Sequence, residues 1–233
     1  MSHPVHFDDY AENYDVALSR GLAVTGEEKD YFARRRIEWV SSSLRHLGFC
    51  AMSVMDYGCG AGSATPILLK VLGSDFVVGV DTSTRSVELA KHAFGGRHSE
   101  FVAIDQYTPA GKLDLAYSNG VFHHIPRTER DKAAHYIWRS LRPGGLFAFW
   151  ENNPWNPGTR YVMSRIPFDR DALTLSPPEA LALLRRTGFQ IIRTDFLFLF
   201  PNFLRWLRWI EPLACRMPLG GQYQVLCRKP ASG

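Results

Sequence analysis

Cysteine is scarce and scattered in this 233-residue sequence: Cys50, Cys59, Cys215 and Cys227 form no C-x-x-C pair. That fits neither a zinc site nor a disulfide framework, and it suits a reducing compartment; no metal is expected. Long hydrophobic runs are also missing. The most apolar stretch, Phe196 to Phe200, stops at Pro201, and Arg205, Arg208 and Glu211 follow, so nothing is expected to span a bilayer. There is no N-x-S/T sequon, and Met1-Ser2-His3-Pro4 lacks the basic start and apolar core of a signal peptide. The formal charge of +4 is too mild to indicate a nucleic-acid partner. Internal repeats, low-complexity tracts and linkers are absent too. What remains is an ordinary globular composition, 45% hydrophobic and 21% charged, which implies one soluble cytoplasmic domain over 1–233.

The rest of the chain is organised around Val54-Met55-Asp56-Tyr57-Gly58-Cys59-Gly60-Ala61-Gly62-Ser63. An apolar run ends in an acid, and three glycines follow at alternate positions. Ala64 to Gly73 then reads as a helix with Pro66 in its first turn and Gly73 closing it. Strand, glycine turn and helix open a nucleotide-binding βαβ unit, where the backbone must turn tightly and let a ligand lie against bare main chain. The G-x-G-x-x-G dinucleotide spacing is not met, because Ser63 and Thr65 stand where its last glycine belongs.

Downstream, further apolar runs each end in polar residues. Phe76 to Val80 ends in Asp81, about twenty residues past the glycines, where an acid can accept bonds from both ribose hydroxyls or cap the helix that follows. Phe101 to Ile104 ends in Asp105-Gln106. Leu113 to Tyr117 runs into Ser118-Asn119-Gly120-Val121-Phe122-His123-His124-Ile125, while Asp114, at the strand's beginning, reads as structural. Arg127 to Leu141 is a helix stopped by Arg142-Pro143-Gly144-Gly145. A fifth strand, Leu146 to Trp150, runs into Glu151. Ser176-Pro177-Pro178-Glu179 is a capping box before another helix. Gln190 to Phe200 and Gln222 to Arg228 read as the last strands, with Asn202 to Arg216 helical between them. Near the start, Thr25-Gly26-Glu27-Glu28 reads as a capping box for a long helix whose apolar face is Ala33, Ile37, Val40, Leu44 and Leu47. These elements alternate into an α/β, Rossmann-like, seven-stranded, mostly parallel sheet with helices on both faces and an antiparallel last strand.

Asp56-x-Gly58-x-Gly60-x-Gly62, the Val-Phe-His-His-Ile sequence and the L-R-P-G-G turn, in this order, resemble class I S-adenosylmethionine-dependent methyltransferases. The resemblance covers about residues 7 to 229 and is nearest the ubiquinone- and menaquinone-type small-molecule branch. It implies a helical lid over 1–48, a cofactor-binding half over 49–151 and an acceptor-side half over 152–233. It also implies S-adenosyl-L-methionine as cofactor. The cofactor's loop would be Asp56, Gly58, Cys59, Gly60 and Gly62, its ribose acid Asp81, its adenine neighbours Thr82, Asp105 and Gln106, and the floor beneath its sulfonium Ser118 and Asn119. Tyr14 of the lid would lie near the methionine end, and one of Arg34, Arg35 or Arg36, with Arg35 the choice, would meet its carboxylate. The N-P-P-Y of base-amino methyltransferases is absent, so no nucleic acid is expected as acceptor.

Methyl transfer from a sulfonium is an in-line displacement whose leaving group needs no acid, so alignment supplies much of the catalysis. A base is required only for a hydroxyl, ammonium or carbon-acid nucleophile. His123, His124 and Glu151, at neighbouring strand ends, are the candidates. Trp150, Trp155 and Phe122 are candidates to line an apolar acceptor pocket. The expected acceptor is a small or lipid-like molecule. An RNA or protein methyltransferase and a catalytically silent cofactor-binding module are the competing readings. Between Phe196 and Met217, apolar residues surround a helix with Arg205, Arg208 and Arg216 mixed in. That segment is either a helix buried over the sheet or one whose outer side forms an acceptor mouth or a peripheral membrane contact.

Overall fold

The strand sequences alternate between two destinations. Met55, Val78, Ala116, Phe147, Phe149, Val225 and Cys227 enter one core, while Val54, Val77, Leu115, Leu146, Ala148, Trp150 and Leu226 enter another. Successive side chains of a strand point to opposite faces, so runs that are apolar throughout require cover on both sides. The computed structural model describes residues 21–22, 25–170 and 172–231. Within them run α1 (Lys29–His46), β1 (Ser53–Tyr57), α2 (Thr65–Leu72), β2 (Phe76–Asp81), α3 (Thr84–Phe94), β3 (Ser99–Ala103), β4 (Leu113–Asn119), α4 (Arg130–Ser140), β5 (Leu141–Asn152), α5 (Pro157–Arg165), α6 (Pro177–Arg186), β6 (Gln190–Leu197), a 3₁₀ segment (Asn202–Ile210), α7 (Glu211–Ala214) and β7 (Gln222–Arg228). The seven strands form one sheet in the order β3-β2-β1-β4-β5-β7-β6. β1 to β5 pair in parallel, and β7 runs antiparallel between β5 and β6.

Helices α4 and α6 cover the first face through Ala134, Ile137, Ala180, Leu183 and Leu184. Helices α1 and α2 cover the second through Ile37, Val40, Leu44 and Leu68. Strand order reverses between β1 and β4, because the chain winds outward from β1 to β3 and then returns to the other side. The carboxyl ends of β1 and β4 therefore open a crevice, the usual ligand position in an open α/β sheet.

Local chemistry accounts for most boundaries. Helix α2 has Pro66 in its first turn and ends on Gly73 in the left-handed region, as expected. Glu179 accepts from the Ser176 backbone N–H at 2.8 Å at the start of α6. Asp114 is structural: it accepts from the Ser53 N–H at 2.9 Å and from Arg142 Nε at 2.6 Å, tying β1 to the turn before β5. Three expectations need correction. The box at Thr25 does not cap α1: Thr25 Oγ1 accepts from Glu27, one residue short, and the helix begins at Lys29 with no side-chain cap. The expected lid is in part a core helix, because α1 lies against the sheet and only its first turns reach the crevice. Strand β6 stops at Leu197 where Phe198 takes φ 63, and Asn202 to Ile210 is wound as 3₁₀ with no residue buried, so it is not a helix buried over the sheet.

Candidate active site

The crevice is a cavity of about 1130 Å³. Its floor is the loop after β1. Gly58 takes φ 76, and a Cβ there would collide with the Val121 side chain. The β1 turn can thus pass against the β4 turn only because the residue is glycine. Gly60, at φ 51, faces open space, which leaves bare backbone toward the cavity. Gly62 is packed instead: a Cβ there would meet Phe101 at 2.9 Å, so this glycine seats the loop on the Cys59, Val87, Ala90 and Phe101 cluster. Asp81 ends β2 beside the loop. One carboxylate oxygen accepts from the Gly60 N–H at 2.8 Å and the other from the Ser83 N–H at 2.9 Å. Ser83, not Asp81, caps α3 by accepting from Ser86 at 3.1 Å. Gly58, Cys59, Gly60, Asp81, Thr82 and Asp105 all line the cavity, whereas Gln106 is exposed and does not line it, and Ser118 is fully buried.

At the other side of the floor stand an acid and a base with unmet needs. Asp56 is 3% exposed, and its Oδ2 has no hydrogen-bond partner. Burial, helped by the nearby Asp81 charge, pushes its carboxyl up to about 7. Arg36 is 8% exposed and forms no ion pair with an acid among the described residues. It donates to Tyr117 Oη at 3.3 Å and to Gln222 Oε1 at 2.9 Å. Tyr117 is the cross-strand neighbour of Asp56. Asn119 also lines the cavity with a buried, unpartnered Oδ1. A buried cation and a buried acid each lacking an opposite charge fit a ligand that carries both signs, such as an α-amino acid moiety. Arg35 is corrected here: it lies 3.4 Å from Glu38 on the outer side of α1 and does not line the cavity. Tyr14 lies outside the described residues.

The third group follows β4. His123 is 3% exposed, with Nδ1 2.6 Å from Glu151 Oε2 and Nε2 3.4 Å from Asp169 Oδ1. Glu151 also accepts from the Phe122 N–H at 2.7 Å, which fixes it at the end of β5. Burial alone would depress the His123 imidazolium, but Glu151 and Asp169 outweigh it and push its pKa up to about 10. Burial raises Asp169, yet hydrogen bonds from His123 and His124 hold it down at about 2. His124 differs: burial and the His123 charge lower it, even with Nε2 3.2 Å from Asp169. His123 is therefore a fixed cation between two acids, and His124 a neutral imidazole at the cavity wall. His123, His124 and Asp169 bring ligand-type atoms within 4.8 Å of one another. The imidazolium already balances this set, so the arrangement is accounted for as an ion-pair network.

Two further corrections concern this end. Glu151 does not line the cavity and stands behind His123. Trp150 and Phe122 are fully buried in the core and Trp155 is on the surface. The apolar wall comes instead from Phe32, Val162, Met163, Ile166, Phe198 and Phe200. Asp169 carried no signal in the sequence, standing in the unpatterned stretch Pro167-Phe168-Asp169-Arg170-Asp171. Arg36 did carry one, standing three residues from Ala33 and four from Val40 on the sheet-facing side of α1.

Residues 55–149 match the family model of the methyltransferase domain. The chain is 28% identical over 117 residues to a trans-aconitate 2-methyltransferase from Azoarcus sp., a match covering 50% of this chain and 46% of that protein. It is 30% identical over 134 residues to a ribosomal protein L11 methyltransferase from Burkholderia ambifaria, covering 57% of this chain and 41% of that protein. The chain thus spans under half the length of these curated relatives. The crystal structure of an S-adenosylmethionine-dependent methyltransferase from Archaeoglobus fulgidus superposes with a TM-score of 0.60 at 17% identity, covering 83% of this chain and 94% of that one. The fold is that seen in S-adenosylmethionine-dependent methyltransferases of known structure, and residues 55–149 match the methyltransferase-domain model. S-adenosylmethionine is the cofactor of this class. The relatives' names join trans-aconitate with a ribosomal protein, so these matches specify the domain and not the acceptor.

Proposed function

We propose that the chain methylates a small, hydrophobic organic acceptor at a hydroxyl or acidic carbon, in the manner of the ubiquinone- and menaquinone-type branch. The observation that carries this reading is one cavity lined by the glycine loop, by a neutral His124 and by an apolar wall. Its volume exceeds the about 300–1,000 Å³ usual for a single small ligand, which leaves room for cofactor and acceptor together.

The residues fit the cofactor by charge. Asp81 and the backbone of Gly58 to Gly60 would hold its ribose side, with Thr82 and Asp105 at the adenine end. Arg36 and Asp56 would take the carboxylate and ammonium of its methionine. Bound there, S-adenosylmethionine supplies an electrophilic methyl group on a sulfonium. The chain's own residues then have three tasks. The wall formed by Phe32, Met163, Ile166 and Phe200 excludes water and orients an apolar acceptor, so that alignment contributes most of the rate. His124, with Nε2 3.2 Å from Asp169, accepts the acceptor's proton. His123, held by Glu151, keeps Asp169 ionised and in place, as a positioning residue. A concave apolar wall suits a small molecule better than a strand of RNA or a folded protein.

Replacing His124 by Ala tests the assignment. Turnover of a hydroxyl or carbon-acid acceptor should fall by about 10²–10⁴-fold while affinity for S-adenosylhomocysteine stays unchanged. Full turnover in the variant would leave catalysis to alignment alone.

A further inference from the structure

We propose that the 3₁₀ segment Asn202–Ile210 and the turn after it form a docking face for an anionic lipid bilayer, beside the mouth of the cavity. A 3₁₀ helix has three residues per turn, so residues three apart stack in rows. The sequence fills three distinct rows. Leu204, Leu207 and Ile210 are half-buried against the fold. Asn202, Arg205 and Arg208 form a polar row, in which Asn202 donates to the Gly26 carbonyl at 2.8 Å and Arg208 pairs with Glu27 at 2.8 Å. Phe203, Trp206 and Trp209 form the outer row and are 77%, 67% and 72% exposed, with Leu213 continuing it at 79%. The backbone bends at Leu204, yet all four stay turned outward.

Two tryptophans, a phenylalanine and a leucine exposed to this degree in one stripe far exceed the scattered apolar residues of a normal surface. The chemistry favours a bilayer over another protein. Indole rings settle at the boundary between headgroups and acyl chains, and arginines at the edge of such a stripe meet lipid phosphates. Arg205 is exposed and makes no ion pair among the described residues; Arg216, also exposed on the adjoining turn, lies 3.7 Å from Asp195. The only acid between residues 201 and 219 is Glu211, which is buried and accepts from the Leu199 N–H at 2.8 Å. The face is therefore apolar with a positive edge. Pairing it with a second copy would bring two such edges together with no exposed acid of residues 201–219 between them. Phe203 also lines the cavity, together with Phe200, Pro201 and Arg208, so the docked face would bring the cavity mouth to the lipid surface.

Co-sedimentation of the full chain with vesicles tests this without reference to methyl transfer. Phosphatidylcholine vesicles are compared with phosphatidylcholine mixed with phosphatidylglycerol, at low and at physiological salt. The wild-type chain should pellet with the mixed vesicles, less with phosphatidylcholine alone, and less as salt rises. The double variant Trp206→Ser, Trp209→Ser should lower partitioning about tenfold or more, and Arg205→Glu should reduce the preference for phosphatidylglycerol about fivefold or more. Circular dichroism and thermal unfolding establish that both variants are folded. Wild-type protein that stays in the supernatant, or a folded double variant that pellets as the wild type does, overturns the proposal. So does a concentration-dependent dimer lost in the double variant without vesicle binding, which would assign the stripe to a second copy.

Discussion

The two ends of the cavity are built by opposite rules. The end proposed to hold the cofactor is made of backbone and strand-end residues that neighbour one another in the sheet: Asp56 to Gly60 at the end of β1 and in its turn, Asp81 at the end of β2, Asn119 at the end of β4. Their positions follow from strand order, because every parallel strand releases its chain at the same edge. The end proposed for the acceptor is made of side chains brought together from α1, from residues 158–169 and from residues 198–208. No periodicity links those segments. A sheet edge specifies a cofactor site through spacing alone, whereas an acceptor site on the same fold is assembled from loops that the spacing does not constrain.

Substitutions at the sheet edge should break this contrast most strongly. Asp81→Ala removes charge-assisted bonds of about 1.5–3 kcal/mol each and also frees the Gly60 and Ser83 N–H groups it holds. Calorimetry should find S-adenosylhomocysteine bound about tenfold to a few hundredfold more weakly; unchanged affinity in a folded variant would remove Asp81 from the site. A smaller effect separates two neighbouring arginines. Arg36→Met should cost about tenfold to a hundredfold in the same titration, while Arg35→Met, whose side chain faces Glu38 outside the cavity, should leave affinity as it was. Equal losses in the two variants would contradict the assignment of α1's inner face.

A third effect is a dependence on pH. The Asp56 carboxyl is raised from 3.8 to about 7 in the folded protein, so ionising it without a ligand costs stability as pH climbs above 3.8. A ligand ammonium binds the ionised form and is accompanied by proton release. Affinity for S-adenosylhomocysteine should therefore rise with pH, by up to about tenfold per unit, and level off above about 7. Asp56→Asn should bind more weakly and lose the slope. A wild-type titration flat between pH 5 and about 8 would show that Asp56 does not meet the ligand's charge.

The fold was legible because its signals are local and repeated. Apolar runs alternate with helical periodicity, β7 was expected over Gln222–Arg228 and forms there, and Pro66 and Gly73 bound α2 as expected. The glycine loop and Asp81 were legible for the same reason. His123 and His124 were visible as a pair but not as two different groups. Their roles diverge because Glu151 lies against one ring and not the other, and because Asp169 arrives from a loop without a pattern. Trp150 and Phe122 misled because an aromatic at a strand end looks alike whether it points to the core or to a ligand. The segment after Pro201 misled in a further way: its three-residue period, read with a 3.6-residue rule, scatters the outer row around the whole helix.

Transfer of a labelled methyl group tests the central claim most directly. S-adenosylmethionine carrying the label would be incubated with wild-type and His124→Ala protein and with a panel of quinols, phenols, prenylated and acylated small molecules, RNA and ribosomal protein. The account predicts label in a hydrophobic small molecule with the wild-type chain, reduced about 10²–10⁴-fold by His124→Ala. Label appearing in RNA or protein instead, or in the small molecule at the same rate with both chains, would contradict it.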